Sequence, residues 1–214
     1  MSRTISQEVA KETPWYRIEV DAFSVYPKVI LVSRWYYRWL LGPGVTTPWV
    51  EREKKFYHDV FNLLLADAFR NTRIRMTATD RGFTTTLGVD FSIGRGLQKH
   101  RHWTVLLRKV HPTSESFTYQ SKVMPHSSTI HLDTADIKDY QPTNVAGKTG
   151  IHNAIPHEFL HAIGYHHDES HAASPHLADT NSIMNVGKQI RERHLRQVLA
   201  DLEDLVPDAR FSLA

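Results

Sequence analysis

The residues best suited to chemistry lie in one short window: His157, Glu158, His161, Gly164 and His167. On a helix, His157 and His161 stand one turn apart on the same face, so both imidazoles can reach a single ion. Glu158 points about 100° around the helix from His157. It is poorly placed to be a ligand beside both histidines and well placed to reach a water on the ion, which is the logic of a His-Glu-x-x-His motif. Gly164 falls where a helix can end at positive φ, a conformation glycine adopts without a Cβ penalty. The chain can then turn so that His167 folds back as the third ligand. Three neutral imidazoles leave a fourth position to water, the catalytic rather than the structural pattern.

His-Glu-x-x-His alone would arise by chance in a chain of this composition about 4% of the time, and adding Gly164 and His167 lowers that to about one in ten thousand. Phe159, Leu160, Ala162 and Ile163 fill the other faces of the helix, which implies a buried helix whose ligands point into a cleft. Asn153 can cap it, with Pro156 still in the first turn, where a missing N–H costs little. His166 and Asp168 compete with His167 for the third position. Asp168 otherwise reads as a carboxylate supporting a ligating imidazole, since such rings usually donate their other N–H to one. The pairs His100 and His102, His126 and His131, and His171 and His176 are weaker candidates for a second site.

Taken together, His157-Glu158-x-x-His161-x-x-Gly164-x-x-His167-Asp168 resembles the zinc-binding consensus of the metzincins, and Ser182-Ile183-Met184-Asn185 resembles their methionine turn. The resemblance implies a zinc-dependent endopeptidase with one catalytic Zn2+ held by His157, His161 and His167. Some relatives use aspartate in place of the last histidine. Glu158 would be the acid/base that assists attack of zinc-bound water on a peptide bond, and Met184 a hydrophobic floor under the imidazoles. It also implies a zincin-like α+β fold: a twisted mixed sheet backed by helices, an active-site helix, and a small C-terminal lobe with the methionine turn and a final helix. A protein or peptide substrate would lie extended on an edge strand, for which 102–110 and 126–134 are the candidates, with Met184 to Ile190 shaping the pocket beyond the scissile bond. Val186 departs from the astacin-like pattern, which has tyrosine there. The tail Gly187 to His194 is similar to some bacterial effector metallopeptidases, which implies a toxin or effector role and an inhibitor or immunity protein as a partner. Two other functions share the motif: a catalytically silent zinc-binding interaction module, and an amide hydrolase acting on cell-wall peptides.

The elements that must position these residues can be traced along the chain. Residues 17–26 alternate apolar and polar, as a strand does. Residues 29–41 are apolar and aromatic and read as a core strand followed by a packed turn, the alternative being an exposed contact patch. Thr47-Pro48 looks like an N-cap with proline at the first helical position, and the spacing of Tyr57, Val60, Phe61, Leu64 and Ala68 predicts an amphipathic helix over about 48–70. Strands are expected at 73–79, 83–93, 102–110 and 128–133, a loop at 138–150, and a last helix over roughly 189–205. The chain reads as a single catalytic domain, 1–214, with an N-terminal lobe to residue 164 and a C-terminal lobe from 165.

The 214 residues can bury a core without staples, and cysteine is absent, so neither disulfides nor thiolate ligands are available. A net charge of +3 with scattered basic residues argues against nucleic-acid binding, which favours a concentrated basic face. No transmembrane segment and no signal-peptide shape is apparent. The expectation is a soluble protein, exported by a leaderless route or otherwise cytoplasmic.

Overall fold

The computed structural model describes residues 9–22, 24–79, 82–113 and 121–214. It is an α+β molecule built on one mixed sheet of nine strands. The strands are β1 (Val9–Glu12), β2 (Arg17–Asp21), β3 (Lys28–Leu41), β4 (Arg73–Ala78), β5 (Thr84–Arg95), β6 (Trp103–Lys109), β7 (Lys122–Met124), β8 (Thr129–Asp133) and β9 (Ala209–Leu213). The helices are α1 (Glu51–Phe69), α2 (Ala154–Ala162) and α3 (Arg196–Leu205). The order across the sheet is β7-β8-β6-β3-β5-β4-β9, with β2 on β3 and β1 on β2. β3 is parallel to β5 and β6, and β6 is parallel to β8, while the other pairs are antiparallel.

The aromatic stretch belongs to β3, which runs unbroken to Leu41. Alternation turns Val29, Leu31, Ser33, Trp35 and Tyr37 to the buried face. There Trp35 meets Phe61 of α1 edge-on, ring centroids 6.5 Å apart, and Phe159 of α2 at 6.4 Å. Phe91 of β5 completes the cluster against Phe69 at 4.2 Å and Phe159 at 6.0 Å. Burying each such ring stabilises the fold by roughly 1.5–3 kcal/mol. This aromatic layer fixes α2, and so the histidine pair, against the middle of the sheet.

α1 begins at Glu51 rather than just after Thr47. Trp49 is the reason: its indole N–H donates to the carbonyl of Leu40 at 2.8 Å, which holds residues 48–50 extended along the end of β3. Val50 becomes the cap, and Glu53 accepts its N–H at 3.1 Å. The expected last helix divides into a short 3-10 turn, Glu192–Leu195, followed by α3. Near the C-terminus, β9 joins the main sheet beside β4. On the other side of β9, Leu213 N–H donates to Glu192 at 2.9 Å and Phe211 N–H to Glu203 at 3.3 Å, so side chains occupy an edge that would otherwise invite another strand.

The segments expected to offer an edge strand, 102–110 and 126–134, are internal: β6 lies between β3 and β8, and β8 between β6 and β7. β7, three residues long and paired with β8 alone among the described strands, forms that end of the sheet. No helix among the described residues is long and apolar enough to cross a membrane.

Candidate metal centre

α2 is nine residues long, and all of them but His161 are buried. The side chain of Asn153 caps it, accepting the N–H of Ile155 at 3.1 Å, and Pro156 occupies the first turn. Ile155, Phe159, Leu160 and Ala162 are fully buried. The helix therefore leaves its polar side, with His157, Glu158 and His161, to a cleft of about 420 Å³.

Two backbone carbonyls orient the histidines. His157 Nδ1 donates to the carbonyl of Ile183 at 3.0 Å, and His161 Nδ1 to the carbonyl of Tyr165 at 2.6 Å. A carbonyl can only accept, so each Nδ1 carries a proton and each Nε2 faces the cleft. These Nε2 atoms lie 3.2 Å apart. Asp168 Oδ1 stands 3.2 Å from the first and 3.4 Å from the second. The two imidazoles hold the Asp168 carboxyl far below the usual carboxylate range, against its partial burial. Among the described residues this is the one group of three or more such side chains whose ligand atoms converge within 4.8 Å.

The third place in this cluster is taken by Asp168 and not by His167. Gly164 ends the helix at φ +111°, and a Cβ there would meet Gln197 at 3.0 Å. The turn it starts sets the direction of the following side chains. The His166 ring lies edge-on to Trp15 at 5.8 Å, the His167 ring is exposed and edge-on to Tyr165 at 5.9 Å, and only Asp168 returns to the histidine pair. Of the other paired histidines, His102 is engaged by Glu12 and by the backbone N–H of Arg34.

Met184 is fully buried in a tight turn in which Asn185 N–H donates to Ser182 O at 3.0 Å and Met184 N–H to Ser182 Oγ at 3.2 Å. The same turn carries the Ile183 carbonyl that orients His157. It is tied to the third member of the cluster through Glu169, whose N–H donates to Met184 O at 2.7 Å. The carboxylate of Glu169 is 1% exposed. It accepts from both arms of Arg193 at 2.7 and 2.8 Å and from the Tyr165 hydroxyl at 2.7 Å, with His194 at 3.1 Å. Arg193 and Arg191 both reach Asp179. This network clamps the segment from Tyr165 to Glu169 onto the methionine turn. Sequence reading missed it, because its partners lie 4 to 25 residues apart with no period between them.

Glu158 is 2% exposed. The backbone N–H of Val123 in β7 lies beside its carboxyl, and Oε2 has no hydrogen-bond partner among the described residues. Burial pushes its carboxyl up to about 8, with His161 opposing and the carboxylates of Asp136 and Asp168 adding. Tyr140 and His152 form part of the wall. Their backbones pair with 3.0 Å hydrogen bonds in both directions, and the His152 ring sits 4.8 Å from that of His157. Burial, with His157 beside it, pushes His152 down to about 3, so it stays neutral. The cluster can hold a divalent cation between three lone-pair donors, with a buried carboxyl beside it to exchange protons.

Comparison with protein-family models, with curated proteins and with solved structures found no match to this chain.

Proposed function

We propose that this chain is a zinc-dependent endopeptidase of metzincin kind with a zincin-like fold, in which His157, His161 and Asp168 hold one zinc ion and Glu158 moves the proton. The observation that carries this reading is the size and polarity of the donor triangle. Ligands held at about 2.0–2.1 Å around a tetrahedral ion stand roughly 3.3–3.4 Å from one another, and the three separations here are 3.2, 3.2 and 3.4 Å. The triangle brings three ligand atoms to one point where a cation can lie among them. Two histidines and a carboxylate also form a known catalytic zinc set.

When bound, zinc supplies Lewis-acid chemistry, lowering the pKa of a water toward about 7 and polarising the scissile carbonyl. The rest falls to the chain. Glu158 has an oxygen with no hydrogen-bond partner among the described residues, so it can take a proton from the attacking water and deliver it to the leaving amine without first breaking a hydrogen bond. Ile183 and Tyr165 hold both imidazoles in the ligating tautomer. β7 borders the same cleft through Lys122 and Val123, and an extended peptide can add to it by main-chain hydrogen bonds.

The test is digestion of a mixed peptide library by the zinc-loaded chain and by Glu158→Gln. The wild type should generate new termini, and the variant should keep one zinc and cleave at least about 100-fold more slowly. Equal cleavage by the two, or none by the zinc-loaded wild type, contradicts the proposal.

A further inference from the structure

The alternation that turns Trp35 and Tyr37 of β3 toward the helices turns Arg34, Tyr36 and Arg38 to the opposite face of the sheet. Strand register carries that outer face across to the cleft. Arg38 pairs with Leu106 of β6, Leu106 with His131 of β8, and His131 with Lys122 of β7. At about 4.8 Å per strand this row spans roughly 14 Å. Its members are half-buried or exposed, while Val105 and Ile130, which point the other way, are fully buried. Arg101 lies over the same face, its Nε donating to Thr104 Oγ1 at 2.6 Å. Burial, and then the charges of Lys122 and Arg108, lower the His131 imidazole, so these cations stand beside a neutral ring.

Not every part of this face carries excess charge. Toward β2 and β5 the cations are matched: Arg17 with Glu19 at 2.5 Å, Lys28 with Asp90 at 3.3 Å, and Arg34 with Glu12. Around the row, no carboxylate pairs with Arg38, Arg101 or Lys122 among the described residues, and Asp133, which follows in β8, is fully buried. These basic residues are dispersed along the sequence, and the sheet gathers them. Lys122 joins the zone to the cleft. It flanks Val123, whose N–H lies beside the Glu158 carboxyl, and β7 is the end strand that borders the cleft. A peptide that adds to β7 puts every second side chain on the outer face, with Cβ atoms about 4.5–5.5 Å from their cross-strand neighbours. An acidic side chain opposite Lys122 would face an ammonium, and residues beyond the added strand would meet the cations further along the row.

We infer that this outer face is an exosite for an acidic segment of the protein substrate, with Lys122 and Arg38 as specificity-determining residues. The inference rests on the peptidase reading above and gives it a substrate class. Single-stranded nucleic acid fits the face less well. It asks for successive rings on which bases stack, and among the described residues Tyr36 is the one Phe, Tyr or Trp that the outer face of β3, β6, β8 and β7 presents.

Fluorescein-labelled octaglutamate should bind the wild-type chain at low ionic strength and be released by added salt. Fluorescence anisotropy should show Arg38→Glu and Lys122→Glu each weakening it at least about fivefold, because reversal replaces an attraction by a repulsion. Arg38→Lys, which keeps the charge, should bind nearly as wild type does, and the melts of all three variants should match wild type. On a peptide substrate found by library digestion, four glutamates added at one end or the other should lower KM at least about fivefold with kcat unchanged, since binding shared by ground and transition states moves KM alone. In Arg38→Glu the extended and unextended peptides should have the same KM. Octaglutamate that does not bind, that binds both reversal variants as well as wild type, or an extension that leaves KM unchanged overturns the inference even where Glu158→Gln is inactive and the peptidase reading holds. Tighter binding of octathymidylate or of phosphatidylserine vesicles than of octaglutamate would give the face to another partner and overturn it too. A zinc-loaded wild type that binds octaglutamate but cleaves no peptide overturns the peptidase reading, and the exosite role with it.

Discussion

His161 donates its Nδ1 proton to the carbonyl of Tyr165, four residues further on, at 2.6 Å. The ring is therefore aimed by the turn that Gly164 starts, and the glycine acts on the histidine pair without touching it. Gly164→Ala should cost about 1–2 kcal/mol from the left-handed backbone alone, and more from contact with Gln197 at 3.0 Å. Urea unfolding should register the loss, and zinc affinity should fall with it because the Tyr165 carbonyl moves. Unchanged zinc affinity in the alanine variant would separate the turn from the site.

The third ligand is open to a direct comparison. Asp168→Asn should weaken zinc binding by about 100-fold or more, while His167→Ala should leave it within about threefold, since the His167 ring packs on Tyr165 outside the triangle. Competition with a chromogenic chelator gives both numbers. The reverse ranking would return the third place to His167.

How far this was readable beforehand depends on range along the chain. The histidine pair, the cap at Asn153 and the positive φ of Gly164 follow from spacings of one helical turn and from a glycine's lack of a Cβ. Choosing between His167 and Asp168 depends on how an irregular turn aims successive side chains, and adjacent residues offer no period from which to read it. β7 has three residues, Lys122-Val123-Met124, too few for alternation to show. β9 exists only because β4 is beside it. The wall made by Tyr140, His152 and Val123 comes from three separate segments, and only the folded chain brings them to Glu158.

Glu169, which ties Arg193, His194 and Tyr165 together beside the cluster, is a stability element too. Its carboxyl is held well below the usual range by Arg193 and His194, against its burial. A lowered pKa gives stability that is complete above the unfolded value near 4.3 and fades as pH falls toward the folded one. Glu169→Ala leaves Arg193 without its buried partner and should cost about 3–5 kcal/mol at pH 7. Chemical unfolding at pH 7 and pH 3 should show the variant's deficit shrinking in acid. A deficit that does not depend on pH would assign the cost to packing.

Asp133 has the opposite sign. Burial, with Asp136 next to it, pushes its carboxyl up to about 6 from 3.8, and its Oδ2 has no partner among the described residues. The folded state holds this proton more tightly than the unfolded one, so the group removes stability as pH climbs from about 4 to 6. Asp133→Asn keeps the acceptor for the Ala135 N–H and lacks the charge. Its melting temperature should equal that of wild type near pH 4 and exceed it by several degrees at pH 7.5. A variant less stable at pH 7.5 would contradict this.

The account depends most on a cation belonging between His157, His161 and Asp168. Equilibrium dialysis of metal-stripped protein against micromolar zinc, followed by metal analysis, tests this most directly. The geometry predicts one zinc per wild-type chain and far less than one in His161→Ala. A folded wild-type chain that takes up no stoichiometric zinc, or a His161→Ala variant that binds as much as wild type, would contradict it.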